Sequence, residues 1–208
     1  MKNNFLMGII LIFIVISLTS CTTPGTSNPA MPPYHDSSSD DLTQPAPDSY
    51  TSFEAFEEAE KQSGEKALPH YFVPATLSDD YQLTQITKRD NVYVMIEYKI
   101  ASGAVSSEKL SEYDTERLST LICRYSLYTD AQKALEMNYI NKGYEPVEYQ
   151  GKTYYRWDEH VQNDPEKQIL GYEIAFITDG CLIFMHLPAV DTFENMLQYA
   201  QLQKVIIE

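Results

Sequence analysis

The sequence predicts an α+β domain in which a single antiparallel β-sheet carries three helices, one N-terminal, one central and one C-terminal. Over Val92–Ile100 an apolar set alternates with a more polar one, a pattern typical of a half-buried strand: Val92, Val94, Ile96, Tyr98 and Ile100 against Tyr93, Met95, Glu97 and Lys99. Two further runs, Tyr172–Thr178 and Cys181–Leu187, flank Asp179-Gly180, the strongest hairpin signal in the chain. Sequences typical of helix N-caps occur before, between and after the predicted strands. Helices interspersed with strands that are joined by hairpins favour an α+β fold with one antiparallel sheet.

The first part of the domain is predicted to be a helix followed by extended segments. Thr51–Glu54 reads as a capping box for a helix over Ser52–Gln62. Leu68–Pro74 is extended and interrupted by prolines, which suit sheet edges and turns. A strand over Gln82–Lys88 then turns at Asp90-Asn91 into the alternating strand described above.

The middle of the domain is predicted to be a strand, a helix and a short strand pair. Leu118–Tyr128 alternates, and a helix opens at Thr129 and ends near Gly143, a common position for a helix stop. Two short strands follow, over Glu145–Tyr149 and Lys152–Asp158, separated by a Gln-Gly turn.

The last part is the strong hairpin and a closing helix. A two-residue turn sets Phe176 opposite Ile183 on an apolar face, and Glu173 opposite His186 on the other face. We expect Glu173 and His186 to form a surface pair worth well under about 1 kcal/mol. A capped helix is predicted from Asp191 to about Lys204.

Composition and charge limit the function classes. The chain has 208 residues with a net charge of −15, and 16 of its residues are tyrosine. Such an acidic chain is repelled by nucleic acid and by anionic headgroups, so a nucleic-acid partner is not expected. About 155 residues remain after the N-terminal segments described next, enough for one domain with its own core.

The N-terminus reads as an export signal. Lys2 is followed by an apolar run from Phe5 to Val15, too short to span a bilayer as a helix. Leu18-Thr19-Ser20-Cys21 resembles the lipobox of bacterial lipoproteins. That resemblance implies a signal peptide over residues 1–20, an acylated Cys21 as mature N-terminus, and a protein held on the outer face of the cell membrane by its lipid. The alternative is an ordinary secretory signal in which Cys21 is incidental.

The segment after Cys21 is predicted to be a tether. Residues 21–50 are rich in Pro, Ser, Thr and Asp, and apolar residues are too sparse to compensate for the entropy lost on ordering. Residues 51–208 therefore form the extracytoplasmic domain.

The domain also resembles a known family. Leu68–Pro74, the Tyr93–Tyr98 strand, the Gly180 hairpin and the closing Asp191–Lys204 segment are similar to a domain of unknown function found in Gram-positive lipoproteins and in the outer part of some anti-sigma factors. The resemblance implies a sheet-and-helix module outside the membrane for sensing or binding, without catalytic residues to carry over. A looser similarity is to periplasmic lipoprotein chaperones that carry lipid in a curved sheet.

No local signature of an enzyme, a metal or a cofactor is present. The chain has no G-x-S-x-G, H-E-x-x-H, P-loop, G-x-G-x-x-G or C-x-x-C sequence. The densest polar stretch is Asp158-Glu159-His160 with Asp164 and Glu166 nearby, which lacks the spacing and glycine of an EF-hand. We interpret it as a solvated connection between strands, with no catalytic, metal or cofactor residues assigned.

The most aromatic stretch is the candidate ligand surface. Alternation places Tyr155 and Trp157 on one face of their strand and Tyr154 and Arg156 on the other. One pair is expected in the core, and the outward pair either stacks on a sugar or peptidoglycan fragment or covers the sheet. Tyr154, Tyr155 and Trp157 are the candidate stacking residues.

Cys123 and Cys181 are the thiols left once Cys21 is acylated. Both lie on apolar strand faces, and outside the cytoplasm a disulfide forms between them if their strands adjoin. Two separate buried thiols are the alternative.

These observations predict a membrane-anchored, non-enzymatic binding or sensing module. Its partners are the bilayer, through Cys21, and an unidentified envelope protein or small ligand. The alternatives are an envelope hydrolase or modifying enzyme with dispersed catalytic residues, and a structural partner in an envelope complex.

Overall fold

Ten strands and three α-helices make up the described part of the chain. The computed structural model describes residues 48–89, 92–101, 118–160 and 168–208. The helices are α1 (Phe53–Gln62), α2 (Ala131–Asn138) and α3 (Phe193–Tyr199). The strands are β1 (Asp48–Tyr50), β2 (His70–Pro74), β3 (Tyr81–Arg89), β4 (Tyr93–Ile100), β5 (Thr120–Ser126), β6 (Glu145–Tyr149), β7 (Lys152–His160), β8 (Ile169–Thr178), β9 (Cys181–Pro188) and β10 (Leu202–Ile206).

The α+β class is confirmed, but the prediction of a single sheet is wrong. Eight strands form one antiparallel sheet in the order β1-β3-β4-β5-β9-β8-β7-β6, and β2 and β10 form a separate two-stranded sheet. Leu202–Lys204, predicted as the end of the closing helix, lie in β10 and pair with β2 instead, with Lys204 opposite Phe72. The closing helix ends at Tyr199 because the chain leaves it to make this pairing.

The large sheet has two faces with different covers, which we call front and back. The front face includes Ile96, Cys123 and Met185, and it packs against α1, α3 and the small sheet. The back face includes Ala175 and Phe184, and α2 packs on it. A side chain's strand position therefore decides which layer it joins.

The predicted hairpin is confirmed in detail. Phe176 pairs with Ile183 and Thr178 with Cys181, as the two-residue turn requires. Asp179 and Gly180 both have positive φ, at 47° and 75°, which is the backbone of a type I′ turn. Asp and Gly tolerate that conformation, which explains why the pair is so informative in the sequence.

The helix starts are set by local caps. Asp130 accepts a hydrogen bond from the Lys133 amide at 2.9 Å, and α2 continues into a 3₁₀ turn that Gly143 ends at φ 96°. The predicted capping box at Thr51 is wrong by one residue, because Ser52 is the N-cap and accepts from the Ala55 amide at 3.2 Å.

Several predictions concern residues outside the described ranges. The predicted signal peptide, Cys21 and the predicted tether up to residue 47 lie there, as do the predicted turn at Asp90-Asn91 and the pair Asp164 and Glu166. Asp48–Tyr50, predicted as the end of the tether, is a strand that pairs with β3.

Candidate functional site

The candidate site lies on the back face, where three strands place polar and aromatic side chains side by side. Trp157 on β7 is opposite Glu173 on β8, and Glu173 is opposite His186 on β9. Glu159, two residues beyond Trp157, shares that face. Tyr144, just before β6, completes what we call the back-face cluster: Tyr144, Trp157, Glu159, Glu173 and His186.

The predicted surface pair of Glu173 and His186 is wrong in its exposure. The register was predicted correctly, but Glu173 is 2% exposed and His186 is 1% exposed. The exposure of these two side chains depends on which segments cover the back face of the sheet. Alternation within the hairpin does not indicate which segments those are.

Gly171 explains how the His186 ring fits between strands. It lies on β8, opposite Glu159 on β7. A Cβ atom added at Gly171 would lie 2.6 Å from Nε2 of His186 and 3.0 Å from the carbonyl oxygen of Leu187. The imidazole therefore occupies the space that a side chain at this position would fill. Across it, His186 Nε2 lies 3.5 Å from Glu159 Oε2.

The two ring nitrogens of His186 have different neighbours. Its Nδ1 lies 3.2 Å from the carbonyl oxygen of Thr120. A carbonyl oxygen only accepts, so Nδ1 carries a hydrogen and donates it. Nε2 then faces the Glu159 carboxylate, so the imidazole and the acid are neighbours on the back face.

The other half of the cluster is aromatic. The Tyr144 hydroxyl donates a hydrogen bond to Oε2 of Glu173. The Tyr144 ring is stacked with Trp157 at 5.8 Å between centroids and 29° between planes. A buried carboxylate thus sets the position of a half-buried aromatic pair, which we call the Trp157–Tyr144 platform.

A second aromatic layer supports this platform. Tyr139 meets Tyr144 edge to face at 5.1 Å, and its hydroxyl accepts from Nη2 of Arg124 at 3.2 Å. Burial raises the pKa of Tyr139, with the Glu173 carboxylate adding to the rise and Arg124 opposing it. This tyrosine therefore stays neutral at physiological pH.

The three predicted stacking residues have different environments. Tyr154 is fully buried in the front core, and its hydroxyl accepts from Nε2 of Gln201 at 3.0 Å, so its inclusion in a ligand surface is wrong. Tyr155 is half-buried and packs against the α2 cluster on the back face. Trp157 is half-buried and belongs to the platform.

Of the two alternatives left open for the remaining cysteines, the structure has the separate thiols. Cys123 and Cys181 are both free thiols. The strands β5 and β9 adjoin, but Cys123 is opposite Met185, four residues along β9 from Cys181. That offset is about 13 Å along a strand, beyond the reach of a disulfide. Burial raises the pKa of Cys123 to about 12, which keeps it as an inert thiol.

The acidic stretch predicted as a loop is part of β7. Arg156 binds both carboxylate oxygens of Asp158, at 2.6 and 2.8 Å. Glu159 points to the opposite face and joins His186, so these acids are separated by the sheet. In the described ranges no group of three or more His, Cys, Asp or Glu side chains is arranged to hold a metal ion.

A second buried polar group lies under the front layer and was not predicted. Lys88 Nζ on β3 contacts the two carboxylate oxygens of Glu60 at 2.7 and 2.8 Å and the Lys66 carbonyl oxygen at 3.2 Å. Glu60 also accepts from the Leu68 amide at 2.7 Å. The spacing of these residues could have indicated that both are buried. Glu60 follows the core residue Phe56 by one helical turn, and Lys88 follows the core residue Ile86 by one strand repeat.

A shallow cleft opens beside this ion pair. It has a volume of about 530 Å³ and lies between the end of α1, the connection to β2 and the residues after β10. Its walls are Glu60, Lys61, Ala67, Leu68, Pro69, Ile207 and Glu208. The Glu60 carboxylate is already bonded to Lys88 and Leu68, and the other walls of the cleft are part apolar and part charged.

Comparison with known proteins gives no relatives. No protein-family model, no curated protein sequence and no solved structure matches this chain. Within the described residues, no helix is both long and apolar enough to cross a bilayer.

Proposed function

We propose that this chain is a membrane-anchored extracytoplasmic binding module that holds an envelope glycan on the Trp157–Tyr144 platform. The anchor is a lipid on Cys21, supported by the basic start, the apolar run and the small residues before that cysteine. Two or more acyl chains hold a protein firmly to a bilayer. The acidic domain itself has no electrostatic attraction to anionic lipid.

The observation that carries the binding role is the construction of the platform. Trp157 remains partly exposed although it stacks on Tyr144, whose hydroxyl is fixed by the buried Glu173. A large aromatic ring held in one orientation is the usual way to contact the apolar face of a sugar ring, and it loses little entropy on binding. A muropeptide or related wall fragment is the ligand class that this surface and this location favour together.

The chain offers a direct test, because Trp157 is its one tryptophan. Titration of the full-length protein with soluble muropeptides should give a saturable change in Trp157 emission. In calorimetry, Trp157→Ala should weaken binding at least about tenfold, the loss of one aromatic stacking contact.

The matched control is Tyr128→Ala, which removes an aromatic side chain that is 47% exposed and belongs to neither hydrophobic cluster. It should bind as the wild type does. An emission that stays constant at millimolar muropeptide, or equal affinity in Trp157→Ala, would refute the proposed ligand surface.

An envelope enzyme is the second candidate, and one observation favours it. Glu159, Glu173 and His186 bring two carboxylates and an imidazole together although they are dispersed in the sequence. Turnover of a wall fragment by the purified protein, lost in His186→Gln, would establish this alternative over simple binding.

A further inference from the structure

A row of side chains on the back face of the β6–β7 hairpin starts at the Trp157–Tyr144 platform and runs to the turn. Side chains alternate along a strand, so every second residue of β7 joins the row, and β6 places its own residues opposite them. We call this row the hairpin strip: Tyr144, Pro146, Glu148, Thr153, Tyr155 and Trp157. Thr153 and Trp157 are four positions apart on β7, about 13 Å along a strand. The strip is therefore longer than a single sugar ring.

The strip is open to solvent at the end away from the platform. Pro146, Glu148 and Thr153 are exposed, and Tyr155 is half-buried where it packs against the α2 cluster. On the neighbouring strand β8 the back face is closed, because Ala175, opposite Tyr155, is fully buried in that cluster. A ligand seated on the platform is thus continued along the hairpin rather than across the sheet.

The strip offers hydrogen-bonding groups as well as rings. Among the described residues, neither the indole N–H of Trp157 nor the hydroxyl of Tyr155 has a hydrogen-bond partner. A ligand that covers these rings has to satisfy both groups, because burying them without a partner is costly. At the far end, the Glu148 carboxylate accepts from the Thr153 hydroxyl and has further lone pairs to accept with. Sugar hydroxyls both donate and accept, so a glycan matches this set of groups and a purely apolar ligand does not.

We propose that the hairpin strip binds a linear stretch of glycan: one sugar ring lies on the platform, and the next rings follow β7 towards Glu148. This inference rests on the proposed function and narrows its ligand to a glycan strand held by its sugars rather than by a stem peptide. The chain has a net charge of −15, which repels an anionic peptide but not uncharged sugars. Tyr155 and Pro146 support the middle ring, and Glu148 accepts from a hydroxyl of the far ring. Affinity therefore increases with the number of sugars until the strip is filled.

The test measures binding of chitin oligosaccharides, from the mono- to the tetrasaccharide, to the full-length protein by calorimetry. These ligands are linear, uncharged and free of peptide, and a free stem peptide is measured beside them. Affinity of the wild type should rise at least about tenfold from the mono- to the trisaccharide, the gain expected from one further ring contact and one charge-assisted hydrogen bond. The stem peptide should not bind.

A matched pair of variants on β6 separates the strip from the platform. Glu148→Ala should lower trisaccharide affinity about tenfold, the loss of one hydrogen bond to a charged group, and leave monosaccharide affinity unchanged. Glu145→Ala is the control, because Glu145 is also exposed but lies opposite Arg156 on the front face. It should change neither affinity. Both substitutions are at exposed positions, and circular dichroism checks that the fold is kept.

The possible failures are distinguishable. Affinity that is independent of the number of sugars, or equal trisaccharide binding by Glu148→Ala and Glu145→Ala, would overturn the strip. If Trp157→Ala still weakens binding in those cases, the platform and the proposed function stand. Preference for the free stem peptide would also overturn the strip. If neither oligosaccharides nor muropeptides bind, the strip and the proposed function fail together.

Discussion

At the scale of single residues, the most constrained position is a glycine inside a strand. Gly171 has ordinary strand geometry, and it is required because the His186 ring and the Leu187 carbonyl lie where a side chain would be. We predict that Gly171→Ala destabilises the protein by about 1–3 kcal/mol, the usual cost of overpacking. Urea denaturation measures this loss.

A control variant separates the predicted clash at Gly171 from the general effect of replacing a glycine. Gly180 has open space around its Cα but a positive φ of 75°, and Asn tolerates that conformation. Gly180→Asn should therefore be close to neutral. In a double-mutant cycle, His186→Ala should recover part of the loss caused by Gly171→Ala. Strict additivity of the two changes would contradict the proposed contact.

The sequence predicts strand faces better than it predicts burial. Alternation placed Trp157 and Tyr155 on one side and Tyr154 on the other, and register placed Glu173 opposite His186. The sequence did not show that Glu173 and His186 are buried, because that depends on layers formed by distant segments. For the same reason it did not distinguish the core residue Tyr154 from the partly exposed Trp157.

At the scale of elements, a buried ion pair joins α1 to the sheet. Lys88 is 3% exposed and Glu60 is fully buried, so removal of either partner leaves an uncompensated charge in the interior. We predict that Lys88→Met lowers the free energy of unfolding by about 3–5 kcal/mol. Thermal or urea unfolding, followed by circular dichroism, measures the change.

An exposed ion pair provides the control. Lys204 and Asp179 are 3.0 Å apart with side chains 40% and 52% exposed. Lys204→Met should cost less than about 1 kcal/mol. The double variant Glu60→Leu, Lys88→Met should lose less free energy of unfolding than Lys88→Met alone, since it leaves no buried charge without its partner. Equal losses in Lys88→Met and Lys204→Met would contradict the account of α1 docking.

Local pairings were predictable from the sequence and distant ones were not. The β8–β9 hairpin was predicted to the residue because its turn is encoded by Asp179-Gly180. The β2–β10 pairing joins two ends of the domain, and neither strand carries a turn signal that points to the other. The tail after Tyr199 was therefore assigned to the preceding helix. Two short strands that depend on a distant partner are the part of this fold that pattern alone could not supply.

At the scale of the whole molecule, buried tyrosines link stability to alkaline pH. Burial raises the pKa of Tyr71, Tyr81, Tyr98 and Tyr125 well above the ordinary value of 10, and that of Tyr199 to about 12. The folded state therefore holds these protons more tightly than the unfolded chain does.

This difference fixes the sign of the pH dependence. The stability contributed by the neutral hydroxyls is complete below about pH 10 and is lost as pH rises through the folded-state values. We predict that the free energy of unfolding falls steeply above about pH 10, with cooperative ionisation of tyrosine as the fold opens. Absorbance of tyrosinate, recorded against pH together with circular dichroism, tests this. Stepwise ionisation of all tyrosines near pH 10 with the fold intact would contradict it.

The remaining question at this scale is how the domain is held at the envelope. In the proposed arrangement, Cys21 carries the lipid and the Pro- and Ser-rich segment after it separates the domain from the headgroups. The Trp157–Tyr144 platform then meets its ligand outside the cell.

Incorporation of labelled palmitate by wild-type and Cys21→Ser protein in intact cells, followed by membrane fractionation, tests this arrangement most directly. The account predicts a labelled wild-type protein in the membrane fraction, shortened by its signal peptide, and an unlabelled, unprocessed Cys21→Ser protein. Equal processing and equal membrane retention of the unlabelled variant would contradict a lipid-held, outward-facing domain.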